Sequence, residues 1–227
     1  LYGSVPASLL EDAHRILRST ATDPPRGPVV RAAEIATAAR TMIDEYRRNG
    51  PFDATVEVRD DVSGLLVSGG CLMIGSDTVM PRGRLEALLS HEVGIHLLTY
   101  FNGAQQGLAI FRTGLAGYEG IQEGLGVFAE WATGGLTRTR LRLLAARVVA
   151  VEAMLKGATF IDVYRLLTAE FGFSPGGAFG ISARVFRSGG LAKDAIYLQG
   201  FNAVIALVRG GSDLEPFWLG KIAVGHI

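Results

Sequence analysis

The chain has 227 residues, 48% of them hydrophobic, enough to bury a substantial core in one large domain. Lys plus Arg and Asp plus Glu balance at 22 each, so no global field draws it to nucleic acid or a membrane surface. A single cysteine, Cys71, excludes an internal disulfide framework and fits a reducing, cytoplasmic setting.

No apolar run reaches the ~18 residues of a membrane span, and no secretory signal is visible. The chain starts at Leu1, and Ile227 follows closely on an apolar segment, which reads as a fragment or trimmed chain. Leu9, Leu10, Ala13, Ile16 and Leu17 have the spacing of one helical face. His14 falls on the polar side of that helix and reads as solvated. Residues 22–28 hold three prolines and read as a loop. A second helix follows over about Val30–Arg48, stopped by Asn49-Gly50-Pro51. Thr55–Arg59 alternates as a half-buried strand does, and Leu65–Ser68 and Gly70–Gly75 are short apolar runs parted at Gly69-Gly70. They predict a small sheet, whose edge strand can hold an extended peptide by backbone pairing.

Pro81 suits the first turn of the next helix, whose apolar run Leu85–Phe101 is stopped by Asn102-Gly103. Inside it stands Ser90-His91-Glu92-Val93-Gly94-Ile95-His96. Neutral imidazoles bind zinc, and the carboxylate beside the first can take a proton from a water held there. The usual form is H-E-x-x-H, with both histidines on one helical face. Here they stand at i and i+5, about 140° apart on a regular helix, where one ion cannot reach both. The spacing therefore predicts a π-type or otherwise broken turn within 91–96, with Gly94 lowering its steric cost.

After a connection over Gly107–Gly117, Tyr118–Trp131 reads as an amphipathic helix with Glu119, Glu123 and Glu130 in a stripe. Such a stripe is usually solvated. Yet Gly120, Gly124 and Gly126 cost about 1 kcal/mol each in a helix, and glycines kept at that cost mark close packing on another backbone. If the neighbour is the histidine helix, a carboxylate from the stripe completes a His₂Glu zinc set. Glu123 is the expected third ligand, with Glu119 one turn earlier supporting it from behind. The remainder is helical: Thr137–Lys156, Phe160–Phe171, a loop at Gly172–Gly177, and Ile196–Val208. Arg184 and Arg187 precede a flexible break, and His226 reads as a surface residue.

The expected class is α+β, mostly helical and zincin-like, a single catalytic domain over 1–227. It divides into a helical lead-in over 1–50, a sheet over 51–80, and a helical metal-site and substrate region over 81–227.

Four ordered blocks carry a resemblance. They are His91 to Gly103, Gly114-Leu115-Ala116-Gly117-Tyr118-Glu119, Gln122-Glu123-Gly124-Leu125, and Arg184 to Tyr197. Together they resemble the tyrosine carboxypeptidase family, whose bacterial members are called QEGLA-motif proteins. The resemblance implies a zinc-dependent metallopeptidase with His91, His96 and Glu123 as ligands and Glu92 as general base. Animal members remove a C-terminal tyrosine from tubulin. Two departures stand out: Gly126 where the family has Ala, and Arg187-Ser188-Gly189-Gly190 where it has Arg-Gly-Gly.

An exopeptidase acting on a peptide or protein C-terminus also needs a cation for the terminal carboxylate. Arg184, Arg187 and Lys193 are the candidates, with Tyr197 as an oxyanion donor. The rival readings are a non-catalytic regulator that keeps the fold, and a peptidase of amino- or endo-specificity. Neither the natural substrate nor the oligomeric state is legible.

Overall fold

The structure, a computed structural model, describes residues 2–19, 27–187 and 193–227. In chain order the elements are α1 (Ala7–Ser19), β1 (Val29–Arg31), α2 (Ala32–Arg47), β2 (Thr55–Arg59), β3 (Leu65–Ser68), β4 (Cys71–Gly75) and β5 (Val79–Pro81). Then follow α3 (Leu85–His91), a π-helical stretch (Glu92–Leu97), α4 (Leu98–Gln105), α5 (Ile110–Thr113), α6 (Tyr118–Ala132) and α7 (Arg138–Leu155). The chain continues through α8 (Phe160–Arg165), a second π-helical stretch (Leu166–Glu170), α9 (Pro175–Phe186) and α10 (Ile196–Arg209). At 64% helix, with sheets of two and three strands, the protein is mostly helical α+β, as expected. Among the described residues no helix is long and apolar enough to cross a membrane.

Two compact units divide the chain: Leu1–Pro24 with Thr137–Gln199, and Pro25–Leu136 with Gly200–Ile227. In the first unit α1 buries Leu9, Ala13 and Leu17, the face its spacing predicted, and packs on α7. The buried Arg142 guanidinium donates to the carbonyls of Leu17 and Phe171, which lets α7 carry a charge inside the unit. A loop over Gly172–Gly177 is too long an expectation, because α9 already starts at Pro175. Ser174 caps it, accepting from the Gly177 N–H at 3.2 Å, and Pro175 is preset for a first turn. The expected break over 188–190 and most of the loop at 22–26 lie outside the described residues.

In the second unit α2, the three-stranded sheet and the histidine helix share one core. Ile35, Ile43, Leu72, Ile74, Leu89, Val93 and Leu97 are buried in it. The sheet order is β2-β4-β3, with β2 parallel and β3 antiparallel to β4. Gly69 and Gly70 both have positive φ, 57° and 82°, as the tight β3–β4 turn requires. A two-stranded sheet, β1 with β5, is new. Pro81 therefore ends a strand, and a turn at Arg82–Arg84 leads into α3.

Asn102-Gly103 does not stop the helix, which runs on to Gln105. Asn102 Nδ2 instead donates to the Trp218 carbonyl at 2.8 Å. A Cβ on Gly103 would stand 2.3 Å from the Phe111 carbonyl oxygen, so that glycine serves a close approach.

Of the α6 glycines, Gly124 meets a backbone, that of Gly200 in α10, while Gly126 meets the His91 side chain and the space around Gly120 is open to a Cβ. A Cβ on Gly124 would lie 2.3 Å from the Gly200 carbonyl carbon, and one on Gly200 would lie 2.0 Å from the Gly120 oxygen. Backbone cannot swing aside as a side chain can. Gly200→Ala is expected to destabilise the protein by ~2–3 kcal/mol, read as a lower urea midpoint. Gly180→Ala, at an α9 glycine with open space around it, is the control and is expected to be neutral or stabilising by up to ~1 kcal/mol.

Candidate metal centre

The stretch from Glu92 to Leu97 is π-helical, so the turn between the two histidines is the irregular one that the spacing required. The Leu98 N–H reaches back five residues to the Val93 carbonyl. With the turn widened, the His91 and His96 rings lie 4.9 Å apart, edge to face. A Cβ on Gly94 would stand 3.3 Å from the Tyr46 hydroxyl, a tight contact. The Gly94 carbonyl accepts a long hydrogen bond, 3.4 Å, from Trp218 Nε1. The Thr99 hydroxyl, 2.7 Å from the Ile95 carbonyl and 2.9 Å from the Gln122 side-chain amide, ties this helix to α6.

Helix α6 supplies the carboxylates. Positions 123, 126 and 130 return to one face, and the His91 ring lies along that face. At one end Glu123 Oε2 stands 3.5 Å from His91 Nε2 and 3.7 Å from His96 Nε2. Gly126 is beneath the ring, where a Cβ would meet Nε2 at 2.4 Å. At the other end His91 Nδ1–H donates to Glu130 Oε1 at 2.9 Å, which leaves Nε2 facing Glu123. Glu130 is fully buried, and its second oxygen accepts from Arg84 Nη2 at 3.2 Å.

His91, His96 and Glu123 each offer one ligand atom, all within 4.8 Å of one another. The separations of Glu123 Oε2 from the two imidazole nitrogens, 3.5 and 3.7 Å, are too long for good hydrogen bonds. They match the spacing of ligands around one small cation: a tetrahedral ion with ligands at 2.0–2.2 Å holds them about 3.3–3.6 Å apart. Charge points the same way. Burial alone would depress the His91 imidazole. The carboxylates of Glu123 and Glu130, with the Glu92 charge, outweigh it and push the pKa up to about 9. Glu92 lies between His91 and His96 in sequence, half-buried.

The stripe carboxylate that hydrogen-bonds to His91 Nδ1 is Glu130. Glu119 is half-buried, and among the described residues its side chain makes no hydrogen bond or ion pair. The signal for Glu130 was present in the stripe, seven residues beyond Glu123.

The residues expected to touch substrate lie in the other unit. Arg184 donates to the buried Asp194 and, at 3.4 Å, to the Tyr197 hydroxyl. Arg147, missed in the sequence, stands 3.6 Å from Asp194 and over the Tyr197 ring. Burial, with Arg184 and Arg140 nearby, brings its guanidinium down to about 10. Arg187 ends α9, exposed, and Lys193 opens a short turn at Lys193–Ala195. Ser188, Gly189 and Gly190 lie outside the described residues.

A mostly helical protein that gathers two imidazoles from either end of a π turn and an acid from α6 has a side-chain group that could hold a metal ion. The particular family follows from comparison: the chain belongs to the microtubule-associated tyrosine carboxypeptidase family, whose model matches residues 1–227, its whole length. That membership implies tyrosine carboxypeptidase activity, hence peptide or protein substrates with a free C-terminus. No curated protein and no solved structure matches the chain.

The raised His91 pKa sets a pH dependence for the metal-free protein. A folded value of about 9 against 6.5 for the free group contributes stability fully present below about pH 6.5 and lost as pH rises through 9. Thermal unfolding with chelator present is expected to show the melting temperature falling across that window. Glu130→Gln is expected to flatten the slope.

Proposed function

We propose that the protein is a zinc-dependent carboxypeptidase that removes a C-terminal tyrosine-type residue, with His91, His96 and Glu123 holding the metal. The observation that carries this reading is the separation of Glu123 Oε2 from the two imidazole nitrogens, 3.5 and 3.7 Å, with all three ligand atoms inside 4.8 Å. Two nitrogens and one carboxylate oxygen form a known catalytic zinc set, leaving one position open. Zinc, when bound, supplies Lewis acidity toward the scissile carbonyl and lowers the pKa of water toward ~7.

The chain's own residues do the rest. Glu92 accepts the proton of the attacking water and returns it to the amine of the departing residue. Glu130 fixes His91 through Nδ1, so that Nε2 keeps its lone pair for the metal. Arg84 offsets part of the negative charge that Glu130 brings into the core. Arg187, Lys193 and Tyr197 remain proposed substrate contacts on sequence grounds, and Arg184 is already engaged by Asp194. The family's microtubule association makes a microtubule-bound polypeptide the proposed partner class.

Two measurements test the reading. Glu92→Gln is expected to lower turnover of a tyrosine-ended peptide by ~10²–10⁴-fold while zinc stays bound one per chain; activity near that of the unsubstituted protein removes Glu92 as base. Glu130→Gln is expected to weaken zinc affinity ~10–100-fold in a chelator competition, with Glu119→Gln unchanged. Equal effects of the two substitutions would return the supporting role to the position one turn before Glu123.

A further inference from the structure

His91 and His96 are held in different ways. Glu130 fixes the His91 ring through Nδ1, whereas among the described residues the His96 ring has only Glu123 near it and no hydrogen bond behind it. An imidazole with nothing behind its second nitrogen has to be placed by its main chain. We propose that Thr99 and Gln122 are positioning residues, a brace between the histidine helix and α6 that holds the π turn and so sets His96 opposite Glu123. The inference rests on the metal reading above and deepens it.

Both residues are shut off from solvent: Thr99 is 0% and Gln122 2% exposed. Thr99 lies just past His96, where the π stretch gives way to α4. The Leu98 N–H there is shared between the carbonyls of Val93 and Ile95, five and three residues back, so neither receives a full donor. The Thr99 hydroxyl makes up the difference at Ile95, 2.7 Å from its carbonyl oxygen, with the His96 carbonyl further off at 3.4 Å. A hydroxyl that bonds back onto the preceding turn bends the helix at that point.

Proton counting orients Gln122. The Thr99 hydroxyl carries one proton, and the Ile95 carbonyl can only accept it. The Gln122 side-chain amide, 2.9 Å from the same hydroxyl, therefore turns its N–H toward the hydroxyl oxygen, since the two ends of an amide exchange without change of shape. One directed path results, from α6 through Gln122 and Thr99 to the carbonyl of the residue before His96. The other end of the amide is buried with no hydrogen-bond partner. An amide satisfied at one end only costs stability, and an apolar side chain of that size would serve packing better. What the amide supplies is position. Gln122 immediately precedes Glu123, so the brace and the carboxylate leave α6 from adjacent residues. Any slip of the π turn moves His96 Nε2 against Glu123 Oε2, 3.7 Å away.

The test uses the full chain. Thr99→Val and Gln122→Met keep shape and volume and remove the hydrogen bonds, while Thr99→Ser keeps the hydroxyl. In a chelator competition Thr99→Val and Gln122→Met are each expected to weaken zinc binding about tenfold, with Thr99→Ser within about threefold of the unsubstituted protein. Cobalt(II) loaded in place of zinc is expected to show a shifted visible spectrum in the first two variants. The double variant is expected to lose no more than the larger single loss, because the pair acts as one device. Unchanged zinc affinity overturns the proposal, as does a double loss equal to the product of the single ones. A lowered metal-free melting temperature with an unchanged cobalt spectrum marks a purely structural role and overturns it too. Should the unsubstituted protein bind no zinc, the metal reading fails, and amide hydrogen exchange over Glu92–Leu97 decides the brace. Exchange there is expected to be about tenfold faster in Thr99→Val and Gln122→Met, and an unchanged rate overturns the proposal.

Discussion

One extra residue in a helical turn is the constraint on which this site depends. His91 and His96 stand five positions apart, and only the π-helical stretch Glu92–Leu97 turns both imidazoles toward α6. A π turn is a poor helix in isolation, so it needs support from outside. Here Val93 and Leu97 are buried in the core shared with α2 and the sheet, and Ile95 in the cluster with Ile121, Leu125 and Phe217. The irregular segment is gripped on both sides by apolar packing. Trp218 reaches its Gly94 carbonyl, and Thr99 bridges to Gln122. The geometry of the clustered imidazoles is therefore a product of two cores and not of local helix preference.

Charge is the second constraint. Three carboxylates, Glu92, Glu123 and Glu130, converge on a buried imidazole with Arg84 as the cation shown pairing with Glu130. Moving a carboxylate out of water costs several kcal/mol unless a positive partner meets it. Without a metal the site meets that demand with the His91 proton, whose pKa is pushed up to about 9. A divalent cation at Nε2 would replace that proton by a larger charge in the same place. Glu130 meets the imidazole at the opposite nitrogen, Nδ1.

How much of this was legible depends on how local each feature is. The two histidines and Glu92 lie within six residues, and simple angular arithmetic on their spacing called for the bulged turn. Glu123 followed from the glycine pattern of α6. The contacts of Glu130 did not follow, because all three acids share one stripe and the groups that meet Glu130, His91 Nδ1 and Arg84, come from another helix and its leading turn. Strands β1 and β5 hold three residues each, too few for alternation to show, and their pairing joins segments 50 residues apart. Asn102-Gly103 misled because a stop signal and a close-approach glycine have the same spelling. The sequence carries the need for contact with Phe111 and Trp218 nowhere near position 103.

The departure at Gly126 then takes on a physical meaning. The family resemblance has Ala at that position, and a methyl here would stand 2.4 Å from the His91 ring. In this chain the imidazole occupies that volume, lying along α6 with Glu123 at one nitrogen and Glu130 at the other. Seven residues of α6 rise about 10 Å, which is the length a ring with a carboxylate at each end must span. The three-point seat, acid, glycine, acid, explains why a stripe of glutamates on an amphipathic helix is buried at its two far members and half-exposed at its first. Glycine at 126 and the buried acid at 130 are one device: the first lets the ring come close, and the second fixes which nitrogen faces the ligands.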